Sequence, residues 1–461
     1  MSQPTLNLVA STTDPDGSSA TPKSNPLNKK PFFKSVQWSA DGTTLFTSSS
    51  TNKICSFVLP STLLTSPSLL TLSPHSTLSL PEPTSAFAPC PYFSLDNPST
   101  QVLLTACTDH PIHLHHIFPP ALQTPPIASF RLIKHETEAY LPVASLLWPT
   151  PGTHFIAGTI NRIALYDVSR PDAGLSPEPV VTISTIQKGM PGIGMRGSVS
   201  ALAVQSQEGI LAAGTWTRWI GLYDLNRGGG GSCAIANWSV KSAAEEKEIG
   251  GKGVVQTVWS PCGRYLVVNE RGSGGLLVYD LRGAEKKLVG VLKGRNGFTN
   301  QRLSCDVYEG RDGGFEVWAG EQGGGIVVWD RVGLKEGDLE PSWRVEGAHG
   351  SGVGSVVMHG SGSVLASCSG SWGFSEEEEE ESESDGESDE ESDEESDEES
   401  DEEGSEVENE GDEGSESEAE TSSRQRNSRK SGIVVGETSL KVWSIGPSNL
   451  DHHEEEENRD Q

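Results

Sequence analysis

The residue types suited to holding a polyanion fall in a few short stretches. Arg162 stands in INRIALYD, Arg218 in GTWTRWIGLYD, and Phe298, Thr299, Asn300, Gln301 and Arg302 are consecutive in GFTNQR. Arginine presents a planar fork of donors that suits phosphate, an aromatic ring stacks on a base, and Asn or Gln bonds base edges. Together they fit single-stranded or looped RNA. Arginine and lysine also populate any loop surface, and that plainer reading stands beside the first.

Other chemistry finds little support. GIGMRG at Gly192 to Gly197 has the spacing GxGxxG, but it opens an alternating strand pattern rather than the helix a dinucleotide site requires. GxxxxGK[ST], GxSxG and HExxH are absent from the sequence. His110, His113, His115 and His116, near Cys107, are a dense set of metal-ligand types, yet strand alternation puts only His113 and His115 on one face, and a structural zinc site takes four ligands. They read as ordinary strand histidines. Asp167, Asp224, Asp280 and Asp330 each close an apolar run, where a carboxylate holds a turn. No acid, base and nucleophile converge, so the chain reads as a non-enzyme without cofactor or metal.

The elements carrying these residues repeat. NKICSFVLP, HPIHLHHI, NRIALYDVS, RWIGLYDLN, GGLLVYDLR, GGIVVWDRV and SLKVWSIG are seven copies of one apolar run. Their matching positions are Phe57, His115, Tyr166, Tyr223, Tyr279, Trp329 and Trp443, and the steps up to Trp329 are all between 50 and 58 residues. In Val254 to Arg282 the whole unit is plain: three short β-branched and aromatic runs separated by Ser-Pro-Cys-Gly and a Gly-rich turn. This period with Tyr/Trp-Asp endings predicts an all-β, seven-bladed WD-repeat β-propeller. Residues 31–370 supply its blades and 436–446 its last strand. The second blade is read as YFSLDNPS, QVLLTACT and HPIHLHHI. Residues 1–30 are read as flexible, with Thr5 to Ala10 alternating like a strand that would close the seventh blade; residues 31–33 are the alternative.

In such a ring, the turn between second and third strands and the link to the next blade open on one face. Arg162, Arg218 and Arg271 fall in the turns, and Lys134, Lys188, Arg196, Arg295 and Arg302 in the links, so that face is expected to be basic. Trp216, Phe298, Asn300 and Gln301 would join it.

The formal charge of -31 misleads about that surface. Glu376 to Glu420 holds 29 of the 65 acidic residues and no Lys or Arg, leaving 36 acidic against 34 basic residues elsewhere. Residues 371–435 therefore read as a disordered acidic insert in the last blade, and 447–461 as an acidic tail. SDEE repeats place Ser388, Ser392, Ser396 and Ser400 as phosphoacceptor candidates, each phosphate adding about -1.5 to -2 charges. The tract is also a surface for basic protein partners, and RQRNSRK at Arg424 to Lys430 is a candidate nuclear-import signal. Seven cysteines without a CxxC pair suit a reducing compartment. No apolar run approaches the roughly 20 residues that cross a bilayer, so no membrane partner is expected.

FTNQRLSCDV, HPIHLHHI, INRIALYDVSRP, AAGTWTRWIGLYDL and FKSVQWSADGTTLFTSSSTNKI together resemble the telomerase Cajal body protein family of WD-repeat proteins and its fungal relatives. The resemblance spans roughly residues 31–370 and the last strand, and TNQR is its most specific piece. It implies a nuclear, non-catalytic scaffold that binds small nuclear or guide RNA of the Cajal-body type together with ribonucleoprotein proteins. The setting it implies is telomerase RNA in animals and pre-mRNA splicing in fungi. It carries Thr299, Asn300, Gln301 and Arg302, with Arg162 and Arg218, as RNA contacts; TNQR bracing a link between blades is the structural alternative. The chain departs from the family in lacking a long Pro-rich N-terminal region, in His115-His116 where an aromatic and Asp are expected, and in its acidic insert. A protein-only adaptor and an acidic chaperone for basic clients are the other functions this architecture allows.

Overall fold

The computed structural model describes residues 4–12, 31–119, 124–134, 136–169, 177–186, 195–205, 207–226, 234–282, 286–310, 312–375, 432–435 and 437–446. Seven antiparallel sheets stand in a ring, each built from successive short strands. The fourth blade is typical: Val199–Gln205, Ile210–Thr215, Trp219–Asp224 and Ala234–Ser239 pair in chain order. A separate two-stranded sheet joins Trp372–Ser375 and Gly432–Val435.

The repeated aromatic sets the period because it fills the seam with the preceding blade. Tyr166 shares a core cluster with Phe130 of the second blade, Tyr223 with Ile156 of the third, Tyr279 with Leu222 of the fourth and Trp329 with Val278 of the fifth. Phe57 lies with Val442 of the seventh blade, and Trp443 with Trp318 of the sixth. Their polar tips bond across the seams: the Tyr166 hydroxyl donates to the Arg131 carbonyl at 2.8 Å and the Trp329 indole to that of Lys293 at 3.0 Å.

A second set of bonds links the innermost strands near the central channel. The Ser145 hydroxyl donates to the Val199 carbonyl at 2.7 Å, and the Ser200 hydroxyl to that of Val254. Gln256 donates to the Cys305 carbonyl at 2.8 Å, and the Lys34 ammonium to that of Thr84 at 3.1 Å. Each passes from one blade to the next, so burying these polar groups fixes neighbouring blades in register.

Ring closure combines both ends of the sequence. Ser439–Gly446 pairs with Val364–Ser369 on one side and with Thr5–Ser11 on the other, from Thr5 opposite Gly446 to Ser11 opposite Lys441. Leu70–Thr71, an excursion of the first blade, then pairs parallel with Ala10 and Ser11. Residues 31–33 instead lead into Phe33–Trp38, the innermost strand of the first blade.

The second blade corrects one reading. Its innermost strand is Thr84–Pro89, TSAFAP, and not YFSLDNPS. The latter forms a turn ending in a short 3-10 segment, Pro98–Thr100, capped by the Asn97 side chain. Proline is tolerated at the end of a strand, whereas Phe87 and Ala88 must be buried there.

His115 holds the seam position that carries Phe, Tyr or Trp in the other blades. It is 9% exposed, and its Nε2 is buried without a hydrogen-bond partner. Burial, with His113 beside it, pushes its pKa down to about 4. The neutral ring is therefore required for folding: stability is present above pH 6.5 and lost as pH falls through about 4. The variant His115→Phe should melt higher at pH 7, by roughly 1–3 kcal/mol for the unmet polar atom, and should lose less melting temperature between pH 6.5 and 4. Parallel melting curves for the two proteins across that window would refute the assignment.

Candidate nucleic-acid interface

The turns from second to third strand share one device. Asn52, Asp109, Asn161 and Arg218 occupy the left-handed region in the first four blades, with φ of 58°, 54°, 55° and 66°. Asn and Asp tolerate this conformation; Arg does so at a cost of about 1–2 kcal/mol. What holds Arg218 is Glu270 on the next blade. The guanidinium donates to both carboxylate oxygens, at 2.8 and 3.1 Å, and to the Gly250 carbonyl. Burial raises the Glu270 carboxyl and Arg218 pulls it back. Only 12% of the Arg218 side chain is exposed, so it serves this seam before any ligand.

Arg295 is also removed from the surface. It is 3% exposed, donating to the Gly320 carbonyl at 2.9 Å, Asn269 Oδ1 at 3.0 Å and the Leu303 carbonyl at 3.1 Å. The expectation that it belongs to the basic face does not hold, because the link between blades five and six folds inward there.

Around the channel mouth the picture differs. The Arg271 guanidinium carbon lies 4.4 Å from the centre of the Trp216 ring, and that of Arg302 lies 5.5 Å from the same centre. Lys34, on the innermost strand of the first blade, completes the group. Burial lowers the pKa of all three, reinforced for Lys34 by Arg302 and for Arg302 by Arg271. Among the described residues none of the three forms an ion pair with a carboxylate. The link 250–253 runs beneath Trp216, and at Gly253 a Cβ would stand 2.6 Å from the Trp216 carbonyl, so only glycine permits this approach.

GFTNQR divides its work. Phe298 lies over Gly274, where a Cβ would come within 2.7 Å of the ring, yet the residue is 64% exposed. The Thr299 hydroxyl accepts from the Gln301 amide at 3.2 Å and shapes the turn. Gln301 reaches to the seventh blade and donates to the Gly370 carbonyl at 2.7 Å. Asn300 Oδ1 accepts from the Lys252 ammonium at 3.4 Å, leaving Asn300 itself exposed. Thus Gln301 braces blades, while Phe298, Asn300 and Arg302 face outward.

Arg162 begins the third strand of blade three, opposite Thr159 and Ser184, one blade before Trp216. Lys134 and Arg196 are exposed in their links. Sequence reasoning does not reach Lys34 or Lys252, and it places Arg271 on the face without making it a contact; Lys34 lies in an inner strand whose sequence gives no sign that its ammonium reaches the mouth. Lys188, the acidic tract with Ser388, Ser392, Ser396 and Ser400, and Arg424 to Lys430 lie outside the described residues. Among the described residues, no group of three or more His, Cys, Asp or Glu could hold a metal ion, and no helix is long and apolar enough to cross a membrane. Asp167, Asp224 and Asp280 accept from the backbone amides of Ser169, Asn226 and Arg282, each two residues on.

No protein-family profile matches the chain. It is 27% identical over 318 residues to guanine nucleotide-binding protein negative regulator 1 of Schizosaccharomyces pombe, covering 68% of this chain and 73% of that protein. Telomerase Cajal body protein 1 of Bos taurus is 27% identical over 354 residues, 76% of this chain and 59% of that protein. The same protein of Homo sapiens is 26% identical over 356 residues, 76% and 58% respectively. The chain thus spans somewhat more than half the length of these animal relatives. These matches bear out the resemblance read from FTNQRLSCDV and its companions.

Proposed function

We propose that this chain is a non-catalytic WD-repeat scaffold of the nucleus that binds a small nuclear or guide RNA in ribonucleoprotein assembly. The observation that carries the reading is the channel mouth: an exposed Phe298 ring and Asn300 beside Lys34, Arg271 and Arg302, three cations without a carboxylate partner among the described residues. A single strand offers both what the ring can stack on and what the cations can neutralise. The names of the animal relatives supply the telomerase and Cajal-body setting. Arg162, and Thr299 through its turn, extend the surface; Arg218 and Gln301 support it from the seams.

The test is filter binding of a single-stranded RNA over a salt series, with wild type and the triple variant Lys34→Gln/Arg271→Gln/Arg302→Gln. At 0.15 M salt the variant should bind roughly a hundredfold more weakly, and its salt slope should flatten by about 2, at ~0.7 per phosphate contact. Equal slopes would remove the mouth from RNA binding. A protein-only adaptor is the second reading, favoured by the name of the fission-yeast relative, which points to a protein target. It predicts weak, variant-insensitive RNA binding and copurifying proteins that the triple variant loses.

A further inference from the structure

We infer that the channel mouth is a seat for one phosphate group, taken by Arg302 and Lys34, with Trp216 acting as a positioning residue that aims Arg271 rather than as a base-stacking platform. This rests on the reading of that face as an RNA-binding surface and assigns its parts. Trp216 is 41% exposed, and its ring is engaged by Arg271 at 4.4 Å and Arg302 at 5.5 Å. A guanidinium over an indole keeps its N–H edge free to donate, so the stack fixes the direction of the donors. One of those donors already lacks an acceptor: Arg271 Nε is buried without a hydrogen-bond partner. An unmet buried donor is costly, and an anion would satisfy it.

The carboxylate that could relieve these cations is committed elsewhere. Glu270, next to Arg271 in the chain, is held bidentately by Arg218. Three mutually repelling cations are thereby kept together, as the lowered pKa values of Lys34, Arg271 and Arg302 register. The remaining exposed aromatic of the mouth, Phe298, is the ring left free for a base.

The full chain is titrated with inorganic pyrophosphate and followed by 31P line broadening, in wild type, Arg302→Gln, Lys34→Gln, Trp216→Leu, Trp216→Phe and, as a control in a turn away from the mouth, Arg264→Gln. A melting curve for each confirms folding. Saturable broadening is expected in wild type and Arg264→Gln, and a loss of tenfold or more in affinity in Arg302→Gln and Lys34→Gln. Trp216→Leu should lose affinity at unchanged melting temperature and Trp216→Phe should recover it, since a phenyl ring still stacks the guanidinium. Single-stranded RNA is then added. Displacement of pyrophosphate supports both the seat and the RNA reading. Pyrophosphate retained in the presence of RNA supports a seat for a free phosphate compound and overturns RNA binding at this face. No saturable broadening, or broadening indifferent to Arg302→Gln, overturns the seat; if Arg302→Gln still weakens RNA binding, the RNA reading survives without it.

Discussion

A variant lacking residues 1–12 will not show a cooperative unfolding transition, and it will associate at concentrations where the full chain does not. The deleted strand makes the register from Thr5–Gly446 to Ser11–Lys441, and Thr12 adds reciprocal bonds with Leu440 at 3.0 Å each way. Ala10 and Ser11 are completely buried, Leu6 and Leu8 pack on the cluster containing Trp443, and Val9 on the one containing Val442. Ladder bonds worth about 1 kcal/mol each and apolar side chains worth about 1.5–3 kcal/mol each when fully buried sum to roughly 10 kcal/mol. That rivals the 5–15 kcal/mol by which whole native proteins are stable. The loss also bares the edge of Ser439–Gly446, an eight-residue template for intermolecular pairing. Calorimetry and sedimentation velocity check the outcome, and a synthetic peptide of residues 1–12 should restore the transition. A deletion variant that melts like the full chain would show that the strand is dispensable.

The second large effect is expected at Arg295. The variant Arg295→Met keeps the stem but strips the partners from Asn269 Oδ1 and the Gly320 carbonyl, while Leu303 still receives the Asn269 amide at 2.8 Å. At about 1–3 kcal/mol for each buried group left unmet, the loss is roughly 3 kcal/mol, lowering the melting temperature on the order of 5–10 °C. RNA affinity below that temperature should be unchanged, because the side chain is sealed between blades five and six. A fall in affinity at full stability would place Arg295 on the binding surface after all.

These two residue sets show what a sequence discloses and what it hides. Tyr166, Tyr223, Tyr279 and Trp329 announce the ring because each fills an equivalent seam, and equivalent seams demand equivalent side chains at a fixed period. The acidic insert is equally plain, since self-repelling charge cannot form a core, and the described strands on either side of it pair directly with each other. Blade two is partly hidden, as Pro89 and Pro91 obscure a strand whose burial rests on Phe87 and Ala88. The mouth is the least legible part. Arg218, Arg295 and Arg302 are the same residue type in similar loops, and only tertiary neighbours separate them. A carboxylate 52 residues away holds the first, acceptors from two blades bury the second, and an indole from a third blade flanks the last. Charge type is written in the sequence, but charge balance is a property of the assembled ring.

The pairing of Thr5–Ser11 with Ser439–Gly446 also sets a clock. At about 5–20 residues per second, the partner of the earliest-made strand leaves the ribosome on the order of half a minute to a minute and a half after that strand itself. Throughout this interval the strand that will seal the ring has nothing to pair with, and the blades made after it must stack as an open arc. What forms during synthesis is therefore local to neighbouring blades, and the pairing of the two ends of the sequence comes after translation. The limiting event in maturation is a single encounter between distant segments, so its rate should respond to the state of the finished chain and not to the pace at which it was made.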